Sequence, residues 1–353
     1  MPDPEFERLI DELIEAAGID ANADQIRQIL TTGVGLGQDR TDRLDLKISN
    51  AALSEMRGAF SIFERYRDTP KVTIFGSART GAADPVYELT HQLASAVADD
   101  GWMVVTGAGP GIMQAAMEGA GRHRSIGVSI RLPFESRAND VIHGDNKHIS
   151  MKYFFTRKLM LVKESKAFVC LPGGFGTLDE TFELLTLQQT GKAEPTPIVL
   201  LDTAGSSYWE GFGDFVAEEL VTRGLVAADD LDRVLITDSV QAAREEVLGF
   251  WRNYDSLRWV GKRLILRLVA EPTDAELADL NERFAHLLAE GTIERTGPIG
   301  PEVSDDDKLD LPRLVLTLDQ FKVGSLHRLI RALNALPSAP AIAQTPRPIS
   351  TEG

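Results

Sequence analysis

The sequence predicts an α/β fold in which a doubly wound parallel sheet is covered by helices on both faces. Five short, nearly all-apolar segments alternate with helix-length segments between residues 71 and 222. Strands that are buried on both faces show continuous apolar runs, whereas half-exposed strands alternate apolar with polar residues. Glycine-rich loops follow two of these segments, and ligands bind beyond the carboxyl ends of the strands in open sheets. We therefore expect a binding site at that edge.

The predicted elements of this region form a regular series, which is typical of a parallel sheet with crossover helices. The strands are predicted at 71–75, 102–106, 125–130, 167–171 and 197–201. The helices are predicted at about 85–99, 111–122, 151–164, 177–190 and 207–222, and a helix at 239–254 closes the domain. We expect this central domain to span residues 69–255.

Residues 1–68 are predicted to form a helical N-terminal extension. Apolar residues recur at helical spacing in the first helix, and two further helices fit 23–30 and 49–66. The glycine-rich Thr31–Gly37 segment is expected to be a loop between them. No residue of this extension suggests chemistry, so its expected role is packing.

Residues 256–336 are predicted to form a small α+β module, and residues 337–353 a disordered tail. The order of its elements, β-α-β-β-α, suggests a ferredoxin-like arrangement. Asp305, Asp306 and Asp307 are expected to lie in a solvated loop. The strands are predicted at 263–269, 292–296 and 313–318, and the helices at 272–291 and 323–334.

Composition excludes several classes of protein. The 353 residues carry a net charge of −16, which argues against a broad nucleic-acid-binding surface, because such surfaces are basic. No apolar run approaches the roughly 18 residues that a membrane-spanning helix needs, and the acidic N-terminus does not resemble a signal peptide. The single cysteine, Cys170, excludes an internal disulfide and a cysteine-based zinc cluster. These features predict a soluble, cytoplasmic protein.

The first glycine-rich loop, TGAGPGIM (106–113), follows a predicted strand and opens a helix. Glycines allow a backbone to approach a ligand closely, and the N–H groups at a helix start attract phosphate. Gly107, Gly109 and Gly111 miss the dinucleotide fingerprint, whose sixth position is Ile112 here. The loop is therefore interpreted as a contact for a smaller ligand, with a tight structural turn as the alternative.

The second loop, LPGGFGTLDETFE (171–183), lies between a buried strand and a helix. Its glycines Gly173, Gly174 and Gly176, with Thr177, could cradle a phosphate through backbone N–H groups. A Walker A motif is absent, so ATP hydrolysis is not indicated. Glu180 and Glu183 share a helix face and are expected at the rim of a pocket, unless they only balance the helix dipole.

Two adjacent cations, Arg157 and Lys158, lie in an otherwise apolar predicted helix. Either they extend to the surface along apolar stems, or Arg157 faces the cleft and binds a phosphate, a ribose or a base. His143 and His148 are too far apart to suggest a metal site and are expected in a loop. Cys170 is expected in the core. No metal ligand set is predicted.

These motifs together resemble the Lonely Guy (LOG) family, formerly labelled lysine decarboxylase-like. LPGGFGTLDE is similar to the family's PGGxGTxxE motif, and the other matching segments precede it in the family's order. They are VTIFGSAR (72–79), VVTGAGPGIMQAAMEGA (104–120) and the Arg–Lys pair. The resemblance covers about residues 70–225.

The resemblance implies a Rossmann-like fold, a homodimer or larger homo-oligomer, and a cofactor-free phosphoribohydrolase. Such an enzyme hydrolyses a nucleoside 5′-monophosphate to a free base and ribose 5-phosphate. The family's catalytic residues correspond to Arg157 and Glu180. The substrate-binding set implied here is Gly76, Ser77, Gly107, Gly109, Gly111, Met113, Lys158, Gly173, Gly174, Gly176, Thr177 and Glu183.

The sequence departs from the family in ways that concern the base. Many members have Met-His-x before the catalytic Arg-Lys pair, where this chain has Phe154-Phe155-Thr156. The preferred base therefore stays open between a cytokinin and an ordinary purine or pyrimidine. Two other functions are alternatives: a nucleotide-binding carrier without catalysis, and a pyridoxal-phosphate-dependent lysine decarboxylase, for which Lys158 or Lys166 would have to form the Schiff base.

Overall fold

The computed structural model describes residues 4–132, 137–319, 322 and 324–341, and its contacts divide the chain after Gly58. The first unit contains α1 (Pro4–Ala16), α2 (Ala23–Gln38) and most of α3 (Arg43–Phe63), whose last turn belongs to the second unit. The prediction of a loop at Thr31–Gly37 is wrong, because α2 continues through it. Each glycine there costs about 1 kcal/mol relative to alanine, but the apolar spacing of Ile26, Ile29 and Val34 continues the helical pattern across the glycines.

The predicted α/β class and parallel sheet are confirmed in the described part of the second unit. Seven parallel strands have the order β4-β3-β2-β1-β5-β6-β7. They are β1 (Lys71–Phe75), β2 (Met103–Thr106), β3 (Ser125–Ile130), β4 (His148–Met151), β5 (Ala167–Cys170), β6 (Ile198–Leu201) and β7 (Val234–Thr237). The sequence did not predict β4 and β7, which lie at the two edges and lack the fully buried pattern of the central strands.

Helices cover both faces of this sheet and enclose an apolar core on each side. They are α4 (Pro85–Asp99), α5 (Ile112–Ala120), α6 (Phe154–Lys163), α7 (Phe175–Gln189), α8 (Tyr208–Phe215) and α9 (Val240–Gly249). A π-helical turn, Val216–Val221, extends α8. The helix predicted at 239–254 ends earlier, because Tyr254 already begins the next strand.

A four-stranded antiparallel sheet with the order β10-β11-β9-β8 forms the C-terminal module. The elements are β8 (Tyr254–Val260), β9 (Arg263–Leu268), α10 (Asp274–Phe284), β10 (Leu288–Thr296), α11 (Gly300–Ser304), β11 (Arg313–Leu318) and α12 (Leu326–Ala335). A ferredoxin-like chain would supply its last strand after the second long helix. Here the edge position next to β9 is occupied by β8, which precedes β9 as its hairpin partner and was not predicted.

Asp307 corrects the expectation of a solvated acidic loop. Its carboxylate is only 9% exposed and binds the guanidinium groups of Arg258 and Arg267. Glu302, on α11, is fully buried between Arg267 and Arg313. The module therefore contains a buried network of charges beside its apolar core.

The end of the chain lies only partly within the described residues. Residues 337–341 pack on the module: Ala339 is buried, and the Arg252 guanidinium donates to the carbonyl oxygens of residues 339 and 340. The rest of the predicted disordered tail, 342–353, lies outside the described residues. Within the described chain, no helix is both long and apolar enough to cross a membrane.

Candidate active site

The loops that follow β1, β2 and β5 meet at the carboxyl edge of the parallel sheet. β1 is the strand at which the chain changes direction, with β2 on one side and β5 on the other. The Ser77 N–H donates to the Pro172 carbonyl oxygen at 3.3 Å, and the Ser77 carbonyl oxygen accepts from the Ile112 N–H at 3.0 Å. The Ser77 backbone thus joins all three loops at the switch point, where such folds bind ligands.

Gly111 is the tightest point of this junction. Its φ of +68° is unfavourable for residues with a side chain, and a Cβ there would lie 2.3 Å from the backbone oxygen of Ser77. Gly76 has a similar restriction, because a Cβ would lie 2.4 Å from Cγ2 of Ile112. The absence of a side chain at these two positions therefore allows the loops to pack this closely.

We expect Gly111→Ala to lower stability by about 1–3 kcal/mol and to weaken substrate binding, because the strained backbone and the clash with Ser77 oppose closure of the junction. Urea unfolding and the KM for substrate measure the two effects. Gly211→Ala, on α8, is the matched control, since a Cβ at Gly211 meets nothing within 4 Å and its φ is not positive. Equal stability of the two variants would contradict the assignment.

Gly107 and Gly109 leave space for two larger side chains. A Cβ on Gly107 would lie 2.3 Å from the Arg157 Nη2 and 2.8 Å from the Met113 Sδ. A Cβ on Gly109 would lie 2.7 Å from Met113 Cε. The glycines of the first loop therefore position Arg157 and Met113 against the backbone, and both side chains belong to the same site.

The phosphate-binding candidate is the turn from β5 into α7. A Cβ on Gly173 would lie 2.1 Å from the Thr177 Oγ1, so the hydroxyl occupies the space above this glycine. The Tyr208 hydroxyl donates to the Gly173 carbonyl oxygen at 2.6 Å and orients the turn. Gly174 and Gly176 are exposed at the start of α7, where the first N–H groups have no intrahelical partner. Such a helix start attracts anions.

Arg157 and Glu180 form an ion pair next to this turn. The Arg157 Nη1 lies 3.6 Å from Glu180 Oε1, and the Arg157 Nε donates to the Val128 carbonyl oxygen at 3.0 Å. Both side chains are largely buried, so Arg157 faces the cleft and not the surface. Burial raises the pKa of Glu180 above its usual value, while Arg157 and Lys158 oppose that shift.

Lys158 supports this pair from the side of Glu180. Its Nζ lies 2.5 Å from Glu183 Oε2, 3.0 Å from Asp179 Oδ2 and 3.5 Å from Glu180 Oε2. Burial disfavours the ammonium, but its hydrogen bonds to Glu183 and Asp179 outweigh burial and raise the pKa of Lys158. Glu183 therefore binds Lys158 and not Arg157, and it lies one helix turn beyond Glu180 on α7.

Three groups at this site were not predicted from the sequence. Asn139 was missed: its N–H donates to the Ala108 carbonyl oxygen at 2.9 Å, and its Nδ2 to that of Gly109 at 3.0 Å. Tyr208 and the Val128 carbonyl were also missed. Thr106 ends β2, and its hydroxyl accepts a hydrogen bond from the Ala108 N–H in the first glycine loop. A residue with a hydroxyl at the end of a strand is a signal that the sequence offered for this contact. The signal for Asn139 was absent, since a long connection separates it from the loop.

The two histidines and the cysteine have separate structural surroundings. His148 begins β4 and does not belong to a loop, and its Nε2 is 2.9 Å from the Ser129 hydroxyl. His143 is exposed. Across the described residues, no group of three His, Cys, Asp or Glu side chains could hold a metal ion. Cys170 is fully buried, as expected, and burial raises the pKa of its thiol to about 12.

Comparisons with known proteins agree with this arrangement. A family model described as "Possible lysine decarboxylase" matches residues 111–247. A cytokinin riboside 5′-monophosphate phosphoribohydrolase of Mycobacterium tuberculosis is 30% identical over 169 residues, which are 46% of this chain and 87% of that protein. The Oryza sativa enzyme called LOG is 29% identical over 191 residues, 52% of this chain and 74% of that protein.

Among solved structures, a molybdenum cofactor carrier protein of Chlamydomonas reinhardtii is 22% identical, with a TM-score of 0.34 over 50% of this chain and 94% of that one. The fold assignment rests instead on the strand order of the chain itself. The similarity to the Mycobacterium protein extends over 87% of that protein. The chain belongs to the LOG family.

Proposed function

We propose that this chain is a nucleoside 5′-monophosphate phosphoribohydrolase, which converts its substrate and water to a free base and ribose 5-phosphate. The observation that carries this proposal is the buried Arg157–Glu180 pair, 3.6 Å apart, at the junction of the loops that follow β1, β2 and β5. Relatives of similar sequence are named phosphoribohydrolases of cytokinin riboside 5′-monophosphate. An anionic substrate needs this local arrangement, because the net charge of −16 repels it elsewhere.

The turn at the start of α7 is the proposed phosphate site. Gly174 and Gly176 present backbone N–H groups to solvent, and the Thr177 hydroxyl lies beside them over Gly173. These groups are fixed before the substrate arrives. Binding of the phosphate, away from the bond that breaks, can then orient the ribose toward Glu180.

Glu180 and Arg157 act on the glycosidic bond from this position. As the bond from C1′ to the base nitrogen breaks, positive charge develops on the ribose, and the Glu180 carboxylate stabilises that charge. The same carboxylate accepts a proton from the water that attacks C1′. Arg157 hydrogen-bonds to the departing base and stabilises its negative charge; its guanidinium is a poor proton donor, so the base takes its proton from solvent.

Lys158 keeps Glu180 ionised in this mechanism. Because burial raises the pKa of Glu180 and the active form is the carboxylate, activity falls as the pH drops through that pKa. Lys158 lowers this pKa. We expect Lys158→Gln to move the acid limb of the pH profile of kcat/KM to higher pH. The profile is measured with a nucleotide substrate that saturates the enzyme.

Lys163→Gln is the control for this pH effect. Lys163 is on the same helix, but its ammonium pairs with Glu164 at 2.9 Å, away from the Arg157–Glu180 pair. We expect its acid limb to coincide with that of the unmodified protein. An unchanged limb in Lys158→Gln would show that Lys158 does not control the ionisation of Glu180.

The deciding experiment is a panel of nucleoside 5′-monophosphates. AMP, GMP, CMP, UMP and a cytokinin riboside monophosphate are incubated with the protein, and both free base and ribose 5-phosphate are measured. We expect equimolar release of the two products from at least one substrate. Tight binding of nucleotides without release of either product would favour the carrier alternative, and the relative rates identify the preferred base.

Lysine decarboxylation is disfavoured by the surroundings of the two candidate lysines. A Schiff-base lysine must lose its proton to attack a carbonyl. The contacts of Lys158 with Asp179, Glu180 and Glu183 hold its proton in place. Lys166 precedes β5, at the opposite edge of the sheet from the glycine loops.

We further infer that copies of the chain associate through aromatic side chains around the site. Phe175 is 93% exposed, Phe154 and Phe155 are 55% exposed, and Phe182 is 41% exposed, although all four are large apolar groups. Light scattering after gel filtration should give at least twice the chain mass of 38.6 kDa. We expect the double variant Phe154→Ser with Phe155→Ser to reduce this mass. Leu225→Ser, which changes an exposed leucine elsewhere on the chain, should leave the mass unchanged. A monomeric unmodified protein would refute the inference.

We also propose a domain, a cellular compartment and partners for this activity. The catalytic domain is assigned to residues 69–255, between the helical extension and the C-terminal module. A single buried thiol suits a reducing compartment, so we place the enzyme in the cytoplasm. Its proposed partners are a nucleotide substrate and further copies of itself, without a nucleic-acid polymer.

A further inference from the structure

A cavity of about 780 Å³ lies between α6 and α7, toward the ends of these helices that are remote from the glycine loops. Its volume is in the range of small-molecule sites. Lys166 and Thr196, which precede β5 and β6, place it at the amino-terminal edge of the sheet. Its apolar wall includes Phe63, Phe168 and Leu184. Nothing in the proposed reaction uses this cavity.

Gln188 lies in the wall of this cavity and carries an unpartnered acceptor. Its side chain is only 4% exposed, and its Nε2 donates to the Thr196 carbonyl oxygen at 2.9 Å. Its Oε1 is buried and has no hydrogen-bond partner among the residues that the structure describes. Because buried polar groups are almost always satisfied, this oxygen indicates a missing donor.

The charges around the cavity do not favour a phosphate. The ammonium of Lys163 is paired with Glu164, and the guanidinium of Arg67 with Glu64. The carboxyl-terminal ends of α6 and α7, which carry partial negative charge, lie at the cavity.

Three further charged groups in the cavity wall form no ion pair among the described residues: Lys192, which is exposed, and Lys166 and Glu194, which are half-buried. The ammonium of Lys166 lies 4.3 Å from the centre of the Trp251 ring, and Glu194 is close enough for the two charges to influence each other's pKa. Burial raises the pKa of Glu194 and lowers that of Lys166, so both charged forms are held at a cost. A ligand with both donors and acceptors would satisfy these groups.

The cavity also touches the residues that support the candidate active site. Glu183, which binds Lys158 at 2.5 Å, lines it together with Leu159, the neighbour of Lys158 on α6. Gln188 and Glu180 lie on the same helix, α7. A molecule in the cavity would therefore contact both helices that carry the Arg157–Glu180 pair.

We propose that this cavity binds an uncharged, amino-bearing heteroaromatic molecule, of the class of an aminopurine base, and that its binding alters catalysis through α6 and α7. The amino group donates to Gln188 Oε1 and to the Glu194 carboxylate, and a ring nitrogen accepts from Lys166. The ring packs against the apolar wall. The effect on catalysis rests on the proposed function, whereas the binding site does not.

Calorimetric titration of the full-length protein with adenine tests the binding, with hypoxanthine as the matched ligand that lacks the amino group. We expect adenine to bind at least about tenfold more tightly than hypoxanthine, because hypoxanthine cannot form the two hydrogen bonds that the amino group donates. Gln188→Met and Glu194→Gln should each weaken adenine binding by a similar factor. Thermal unfolding confirms that each variant is folded, and the two variants act on different elements.

Arg157→Ala separates this cavity from the candidate active site, which could also hold a base. Adenine binding that persists in Arg157→Ala and is lost in Gln188→Met supports the proposal. It is overturned if adenine does not bind, if hypoxanthine binds equally well, or if only Arg157→Ala removes binding. If a second copy of the chain covers the cavity, adenine does not bind, and this result also overturns the proposal.

The coupling to catalysis has its own measurement. In the unmodified protein, adenine should change kcat or KM for base release at least twofold, and in Gln188→Met this response should disappear while the rate without adenine stays the same. Binding without any kinetic response would overturn the coupling alone. If no nucleotide is cleaved, the proposed function fails, while the titration with adenine still decides the binding site.

Discussion

Glu180→Gln is expected to lower kcat for base release by at least about 100-fold, equivalent to roughly 2.7 kcal/mol of transition-state stabilisation. The amide keeps the size of the side chain but lacks the negative charge that stabilises the ribose cation and the basicity that accepts a proton from water. The phosphate turn from Gly173 to Thr177 is unchanged, so KM should stay within about threefold of its original value. Release of ribose 5-phosphate, followed with time, gives both constants.

Glu183→Gln provides the matched control for this prediction. Glu183 is on the same helix one turn later, is more exposed and binds Lys158, not Arg157. We expect its kcat to fall much less, by under about tenfold. Retention of more than half of the activity by Glu180→Gln would refute the assigned role, and equal losses in both variants would point to a general effect of charge on α7.

Glu302→Gln is expected to destabilise the C-terminal module by about 3–5 kcal/mol. The Glu302 carboxylate is completely buried, and it accepts from the Arg267 Nε at 2.9 Å and from the Arg313 Nε at 3.1 Å. It also accepts from the Ile299 N–H at the start of α11. A neutral amide leaves two buried guanidinium groups with less negative charge to balance them, although Asp307 still contacts Arg267.

Urea unfolding followed by circular dichroism measures this loss. Asp279→Asn is the control: Asp279 pairs with Arg283 on the surface of α10, with both side chains about half exposed. Exposed pairs of this kind contribute less than about 1 kcal/mol, so this variant should unfold almost as the original protein does. Similar midpoints for Glu302→Gln and the original protein would show that the buried network contributes little.

Local patterns predicted the central strands, because their burial on both faces leaves continuous apolar runs such as KVTIF and PIVLL. They also placed Gly107, Gly173 and Glu180 at the carboxyl edge of the sheet. The edge strands β4 and β7 were missed, since fewer neighbours cover them and their sequences carry less of that pattern. In α2, the helix continues through three glycines, whose low helix propensity had favoured the prediction of a loop.

The burial of Asp307 shows the limit of such patterns. Three consecutive aspartates normally indicate a solvated loop, and only the approach of Arg258 and Arg267 from β8 and β9 makes burial favourable. Those arginines are about 40–49 residues away in the chain. Charge compensation over such a distance leaves no periodicity in the sequence.

By itself, the sequence determined the class of the protein and the two glycine loops, and it predicted the residues that we propose for the chemistry, because those features depend on residue type and short spacing. Tertiary structure alone decided that Arg157 faces the cleft and pairs with Glu180, that Lys158 supports Glu180, and that a cavity lies between α6 and α7. The physical reason is that pairing, burial and pKa depend on the neighbours that distant segments bring within a few ångströms.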